Sequence, residues 1–274
     1  MSKSIIGLST DEAEFLASLA GEDKEVFTIE DAYAYWDGDP NTPFRLRDLE
    51  TKGWLERLER GKYLIVPLEA GPQRQWAEDA FVIAAHLVTP AAVAYRSALH
   101  HWNLTEQVPR VTYVQTTSRK FQREKQVLGV RFRFVTVTPR KFFGLRREAV
   151  DHKRYDVTDR EKTLLDCLDR PDLAGGIPEV IEALRNGVSE FDWPRIDGYL
   201  ERFGSGAVVK RLGFLVDAMQ LAIPERETRL DGWVKRLTAG LATLDPSSAR
   251  PPHRIATRWR VRVNLDEMLL DGSS

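Results

Sequence analysis

Residues 42–66, TPFRLRDLETKGWLERLERGKYLIV, combine a capped helix with a hairpin, and no other stretch constrains the fold as strongly. Thr42 can accept hydrogen bonds from the free amides of a first helical turn, and Pro43 suits the position that follows such a cap. Gly53 suits a left-handed helix stop. The pattern therefore predicts a helix over residues 43–52.

The residues after this helix are typical of two short strands joined by a tight turn. Residues 54–58 contain the apolar Trp54, Leu55 and Leu58, residues 59–62 contain glycine and charged side chains, and residues 63–66 are rich in β-formers. Upstream, a capping box at Ser9 and Thr28 as a second cap predict two earlier helices. Three helices followed by a hairpin form a winged helix-turn-helix.

In a winged helix, the start of the third helix usually enters the major groove of DNA. Arg45 and Arg47 leave the first turn of the predicted helix on its polar side, while Arg60 and Lys62 occupy the hairpin turn, where they suit phosphates. The alternatives are that both helix arginines are only a solvated face, or that the module binds protein. The predicted DNA-binding residues in this region are Thr42, Arg45, Arg47, Lys52, Arg60 and Lys62.

The chain has 274 residues and 42% hydrophobic content, enough for two domains with real cores. The break PLEAGP separates a predicted winged helix-turn-helix domain, residues 1–70, from a mixed α/β, largely helical C-terminal domain, residues 73–274. The fold class is therefore α+β. One cysteine and no long apolar run predict a cytoplasmic protein without disulfides or membrane contact.

Charge is segregated along the chain although the net charge is only −1. Residues 1–44 carry two basic and ten acidic side chains, and the positive charge begins where the third helix does. Residues 110–154 carry thirteen basic and three acidic side chains, a net charge of +10. Such an excess favours a polyanionic partner for the C-terminal domain.

Two strands are predicted within this basic segment, at residues 112–116 and 130–138, where apolar and basic residues alternate in the second. The densest basic cluster is predicted to lie on a mobile loop between these two strands. It consists of Arg119, Lys120, Arg123 and Lys125. The alternative is internal pairing with acidic residues such as Asp156, Asp159 and Asp166. The predicted nucleic-acid contacts of this segment are Arg119, Lys120, Arg123, Lys125, Arg131 and Arg133.

Most of the C-terminal domain is predicted to be helical. Helices are expected over residues 75–87 and 91–102, and a capping box of Thr158 with Glu161 is expected to open another over residues 159–168. After several further helices, alternation over residues 257–265 predicts a late strand.

The sequence gives little support for catalysis, a metal or a cofactor, and none is predicted. His100 and His101 are adjacent, so on a helix they point about 100° apart and cannot share a metal in the usual way. Cys167 lies in an apolar helical stretch without a Cys-x-x-Cys partner. Asp166 and Asp169 could form a carboxylate pair, but a solvated helix face explains them as well.

Three blocks, GWLERLERGKYLI, SALHHWNLTEQVPRVTYVQTT and EKTLLDCLDRPDLAGG, resemble in order and spacing the AbiEi family of antitoxins, over roughly residues 28–180. The resemblance implies a transcriptional autorepressor in a phage-defence toxin-antitoxin operon. The implied partners are double-stranded DNA, as an inverted repeat in its own promoter, and a nucleotidyltransferase-type toxin, neutralised with or without stable contact. By position, the implied DNA readers are Arg45 and Arg47, with Arg60 and Lys62 on the wing.

Two other function classes stay open at this point. One is a nucleic-acid-processing enzyme with a winged-helix targeting domain, whose catalytic carboxylates would lie near the basic segment. Only three acidic residues occur there, although phosphate chemistry normally needs carboxylates that hold a metal. The weaker alternative is a scaffold whose basic face binds protein or RNA.

Overall fold

The N-terminal part contains three helices and a small antiparallel sheet. In the computed structural model, which describes residues 7–70, 80–119, 122–150 and 153–270, its elements are α1 (Thr10–Gly21), β1 (Val26–Thr28), α2 (Ile29–Tyr35), α3 (Thr42–Lys52), β2 (Leu55–Glu59) and β3 (Lys62–Ile65). β3 lies between β1 and β2. The predicted caps at Ser9 and Thr28 are confirmed, and each forms a reciprocal capping box.

The predicted third helix is confirmed at its end and corrected at its start. Gly53 terminates α3 with a left-handed φ of 93°, as expected. Thr42, however, is fully buried as the first helical residue, and its hydroxyl donates to the carbonyl of Asp39 at 2.7 Å. Asn41 occupies the cap position, but its side chain makes no capping hydrogen bond to the helix. Thr42 therefore neither caps the helix nor reaches a DNA groove.

A six-stranded mixed sheet forms the middle of the chain, in the order β6-β7-β5-β4-β9-β8. The β5–β7 and β4–β9 pairs are parallel, and the other three are antiparallel. Its elements are α4 (Ala80–Leu87), β4 (Ala92–Val93), α5 (Tyr95–His101), β5 (Thr112–Thr116), β6 (Glu124–Val127), β7 (Val130–Thr136), β8 (Leu145–Val150) and β9 (Lys153–Thr158).

The two strands predicted in the basic segment are confirmed as β5 and β7. The predicted helix over residues 91–102 is wrong at its start, because Ala92 and Val93 are buried in β4 and pair with strands on both sides. Their small side chains fit a central strand covered on both faces, which helix propensity alone does not reveal. The β8–β9 hairpin was not predicted.

The remaining chain is mainly helical and ends in a three-stranded sheet of order β10-β12-β11. Its elements are α6 (Arg160–Asp169), α7 (Pro171–Ala174), α8 (Ile177–Gly187), α9 (Trp193–Phe203), α10 (Gly206–Ala218), α11 (Arg226–Lys235), β10 (Ala242–Thr243), β11 (Arg254–Ala256) and β12 (Val261–Val263). Asp159, not Thr158, caps α6, accepting from the amide of Lys162 at 2.8 Å. Glu161 is buried instead and accepts from the amide of Asp192 at 2.9 Å.

Three larger hydrophobic clusters organise the described residues. One lies within the N-terminal helices and sheet, around Phe15. A second joins Leu58 and Leu64 of the N-terminal hairpin to Leu87 and Phe132, so a shared core crosses the predicted break after residue 70. The largest surrounds α6 and continues to the C-terminal sheet. These contacts set the N-terminal hairpin directly against the six-stranded sheet.

Candidate nucleic-acid interface

The solvent face of α3 carries one arginine and one exposed aromatic ring. Arg47 is exposed, and Phe44, one turn earlier, is 72% exposed. Residues three apart lie on the same helix face, opposite the buried Leu46 and Leu49. Phe44 was not among the predicted contacts, although its place at i−3 from Arg47 could have indicated it. α3 therefore presents a cationic and an apolar group side by side.

A cleft of about 970 Å³ separates this helix face from the β2–β3 hairpin. Gly61 holds the hairpin turn at φ +75°, and its carbonyl accepts from the amide of Ile29 at 2.8 Å, which ties the turn to the start of α2. The cleft is lined by four basic side chains, Arg47, Arg57, Arg60 and Lys62, and by three acidic ones, Glu30, Glu50 and Glu59. The cleft therefore has a small excess of positive charge, and its arginines come from both α3 and the β2–β3 hairpin.

Arg45, predicted as a second reader, is instead held by neighbours in its own domain. Its guanidinium forms ion pairs with Asp11 and with Asp39, the latter at 3.1 Å, and lies 5.1 Å from the ring centre of Trp36. This geometry directs it toward α1 and away from the solvent face of α3. Arg45 and Arg47, predicted as equivalent readers, therefore have different surroundings.

Lys52 and Lys62 are also engaged inside the protein. The ammonium of Lys52 lies 2.7 Å from Glu12 and 2.8 Å from Asp48, and its hydrogen bonds to these carboxylates raise its pKa. The ammonium of Lys62 donates to the carbonyl of His86 at 2.7 Å, linking the hairpin to α4. Each lysine, predicted to contact DNA, therefore already has a partner within the protein.

Arg60 keeps the environment that the sequence predicted. It is exposed at the hairpin turn, and its side chain has no hydrogen bond or ion pair with any described residue. Arg57 extends from the adjoining strand, with its Nε 3.4 Å from the carbonyl of Glu59. Arg57 was not predicted as a contact, yet it is exposed on β2.

The predicted nucleic-acid contacts of residues 110–154 do not lie together in the structure. Lys125 lies on β6 and not on a loop, because it pairs with Phe132 of β7. Arg131 and Arg133 project from one face of β7, opposite the buried Phe132 and Phe134. A pocket brings together Arg119, Arg123, Arg133 and Arg170. Lys120 lies outside the described residues.

Several other cations of residues 110–154 are paired internally. Arg147 contacts Asp156 at 3.0 Å, as the alternative prediction anticipated, but Asp159 and Asp166 have other partners. The high net charge of the segment is thus not displayed as one surface. The further pairs are Lys141–Asp169, Arg146–Glu148 and Lys153–Glu25.

Asp166, for which the sequence left open a carboxylate pair with Asp169 or a solvated helix face, lies in the core. It is 2% exposed and forms an ion pair with the fully buried Lys162, whose ammonium is 5.1 Å and 5.2 Å from the ring centres of Phe143 and Phe203. Burial raises the pKa of Asp166 to about 6, and Lys162 opposes that rise. The solvated-face interpretation of Asp166 is wrong.

Other candidate reactive groups are also enclosed. Cys167 is fully buried, and burial raises the pKa of its thiol well above the usual value. His101 packs against Phe81 and Tyr155, and burial lowers its pKa. In the part of the chain that the structure describes, no three His, Cys, Asp or Glu side chains are grouped as metal ligands.

Comparison with known proteins shows the fold and no family. No family model and no curated protein matches the chain. Among solved structures, the chain is similar to the Rv2827c protein of Mycobacterium tuberculosis, with a TM-score of 0.69 at 15% identity; the match covers 98% of this chain and 96% of that chain. The mixed helix-and-sheet architecture is therefore shared along almost the whole of both chains.

Among the described helices, none combines the length and apolar character that crossing a membrane requires.

Proposed function

We propose that residues 7–66 form a winged helix that binds double-stranded DNA, with α3 in the major groove and the β2–β3 hairpin as the wing. The observation that carries this proposal is the pairing of Arg47 with the wing arginines around one open cleft. The order of three helices and a hairpin, with a strand before the second helix, supports the assignment.

The exposed groups of α3 suit base readout. An arginine fork can bridge the two acceptors of guanine, and an apolar ring can contact the methyl group of thymine. Arg47 and Phe44 offer these two chemistries one helical turn apart. Arg60 and Arg57 on the wing suit phosphates, which add affinity without sequence preference.

The resemblance to AbiEi antitoxins supports a more specific proposal. Under this proposal, the DNA is an inverted repeat in the protein's own promoter, and the chain is an autorepressor and not an enzyme. It also neutralises a cognate nucleotidyltransferase-type toxin in the cytoplasm, with or without stable contact. Co-expression with the product of the neighbouring gene tests this part: restored growth supports an antitoxin, and undiminished toxicity contradicts it.

The DNA-binding proposal is tested by replacing the groups on α3 and on the wing separately. Arg47→Ala should cost about 1 to 3 kcal/mol of binding free energy on the promoter fragment and relax base preference. Phe44→Ala should lower affinity with less effect on scrambled DNA. Arg60→Ala should weaken promoter and scrambled DNA equally and lower the salt slope of log affinity by about one unit.

The matched control is Arg262→Ala, because Arg262 is an exposed arginine on β12, in the C-terminal sheet. Fluorescence anisotropy with promoter and scrambled duplexes measures all four variants at several salt concentrations. If Arg47→Ala binds both duplexes as the Arg262→Ala control does, α3 is not the reading helix.

A further inference from the structure

A pocket of about 350 Å³ opens between β7 and the junction of α6 with α7. Four arginines from four chain positions converge on it, Arg119, Arg123, Arg133 and Arg170, and Leu173 adds an apolar wall. Sequence spacing could not indicate this grouping, because Arg170 is far along the chain from the other three. The pocket is separate from the cleft beside α3.

The backbone on the β5 side of the pocket is firmly attached to the sheet. The amide of Ser118 donates to the Thr116 hydroxyl at 3.1 Å, and the Ser118 hydroxyl donates to the carbonyl of Thr89 at 2.5 Å. The Thr136 hydroxyl donates to the carbonyl of Ser118 at 3.2 Å. These bonds fix the residue immediately before Arg119.

The other three arginines also start from ordered positions. The carbonyl of Arg123 accepts from the amide of Phe134 at 2.8 Å, which continues the β6–β7 ladder. Arg133 lies within β7, and the amide of Arg170 donates to the carbonyl of Asp166 at the end of α6. A site whose backbone is already held in place loses less entropy on binding than one on a free loop.

The positive charge of the pocket is only partly compensated. Arg170 forms two hydrogen bonds with Asp172, at 2.9 Å and 2.7 Å, and these lower the pKa of that carboxyl; Arg133 contributes to the same shift. Arg133 lies 3.8 Å from Glu124, whose side chain is 70% exposed. The Arg123 side chain contacts no acidic group among the described residues. Among Arg123, Arg133 and Arg170, three guanidinium groups thus face two partly solvated carboxylates.

We propose that this pocket binds a di- or triphosphate group. Guanidinium forks match phosphate oxygens in pairs, and several arginines around one small volume suit an anion whose charges are concentrated. A DNA strand presents its charges one at a time, about 3.4 Å apart along its axis, so it suits a stripe better than an enclosed pocket. The volume is also at the small end of the range for ligand sites.

The test is calorimetric titration of the full chain with inorganic tripolyphosphate in the absence of DNA. The pocket variant is Arg123→Gln with Arg133→Gln. The matched control is Arg131→Gln with Arg262→Gln, which removes the same charge from exposed arginines that do not line the pocket. Loss of each charge-assisted contact should weaken binding about tenfold, so the pocket variant should bind about a hundredfold more weakly. The control should stay within about twofold of the wild type.

Separate titrations with ATP, GTP and a duplex 20-mer identify the source of the phosphate. Nucleotide binding that is as tight as tripolyphosphate binding, or tighter, and that the pocket variant loses, supports the proposal. Three results overturn it: no binding of tripolyphosphate by the wild type, an equal loss in pocket and control variants, or loss of duplex binding alone. Thermal unfolding of each variant checks its fold, and since no DNA reading by α3 is involved, failure here leaves the proposed function unaffected.

Discussion

α3 and α6 are helices of nearly equal length whose charged residues have opposite surroundings. α3 buries one side and leaves Arg47 and Phe44 in solvent. In α6, eight of the ten residues are buried, including Lys162 and Asp166. The charge of Arg47 is therefore available to a partner, whereas the charges of Lys162 and Asp166 are part of the core. Substitutions should change binding in α3 and stability in α6.

The largest effect is expected from breaking the Lys162–Asp166 pair. Asp166→Leu leaves the buried ammonium without a counter-charge and should lower the free energy of unfolding by about 3 to 5 kcal/mol. Lys162→Met combined with Asp166→Leu removes both charges at similar volume and should be much less destabilising, or neutral. Urea denaturation followed by tryptophan fluorescence measures both. Equal destabilisation by the single and double changes would show that packing, not charge, governs this site.

The same pair gives a pH dependence whose sign follows from burial. The pKa of Asp166 in the folded protein is about 6, above the value of about 3.9 in an unfolded chain. Between these values the folded state holds the extra proton, so this contribution to stability is complete below about pH 4 and is lost as pH rises to about 6. The double variant lacks the titrating carboxyl and is the control.

The measurement is the difference in unfolding free energy between wild type and double variant, taken at several pH values from 4 to 7. It should fall as pH rises through this window. Asp159, whose pKa burial also raises, is present in both proteins and cancels. A difference that is constant, or that grows with pH, would contradict the raised pKa of Asp166.

The sequence predicts α3 better than α6 because local signals determine more of α3. Gly53 and the Leu46–Leu49 spacing describe α3 without reference to the rest of the chain. By contrast, Asp166 is buried because Phe143 and Phe203, distant in sequence, pack around its partner Lys162. Helical periodicity cannot show which polar residues such packing encloses.

In the candidate site, too, local signals could be predicted and contacts between distant residues could not. The exposure of Arg47 and Arg60 could be predicted from the helix and the hairpin turn. The ion pair of Arg45 with Asp11 and the hydrogen bond of Lys62 to the carbonyl of His86 could not be predicted, because each contact joins separate elements. The arginine pocket includes Arg170 of the α6–α7 junction, so it likewise could not be predicted from sequence spacing.

The smallest expected effect distinguishes Arg45 from its neighbour on α3. Arg45→Ala removes half-exposed ion pairs with Asp11 and Asp39 and the contact with Trp36, so it should lower the unfolding free energy by less than about 1 kcal/mol. Its effect on promoter affinity should be smaller than that of Arg47→Ala, because its guanidinium is directed toward α1. Anisotropy and urea denaturation on both variants measure the two effects. An unchanged stability together with an affinity loss equal to that of Arg47→Ala would mean that Arg45 leaves its carboxylates to contact DNA, and the two arginines would then act alike.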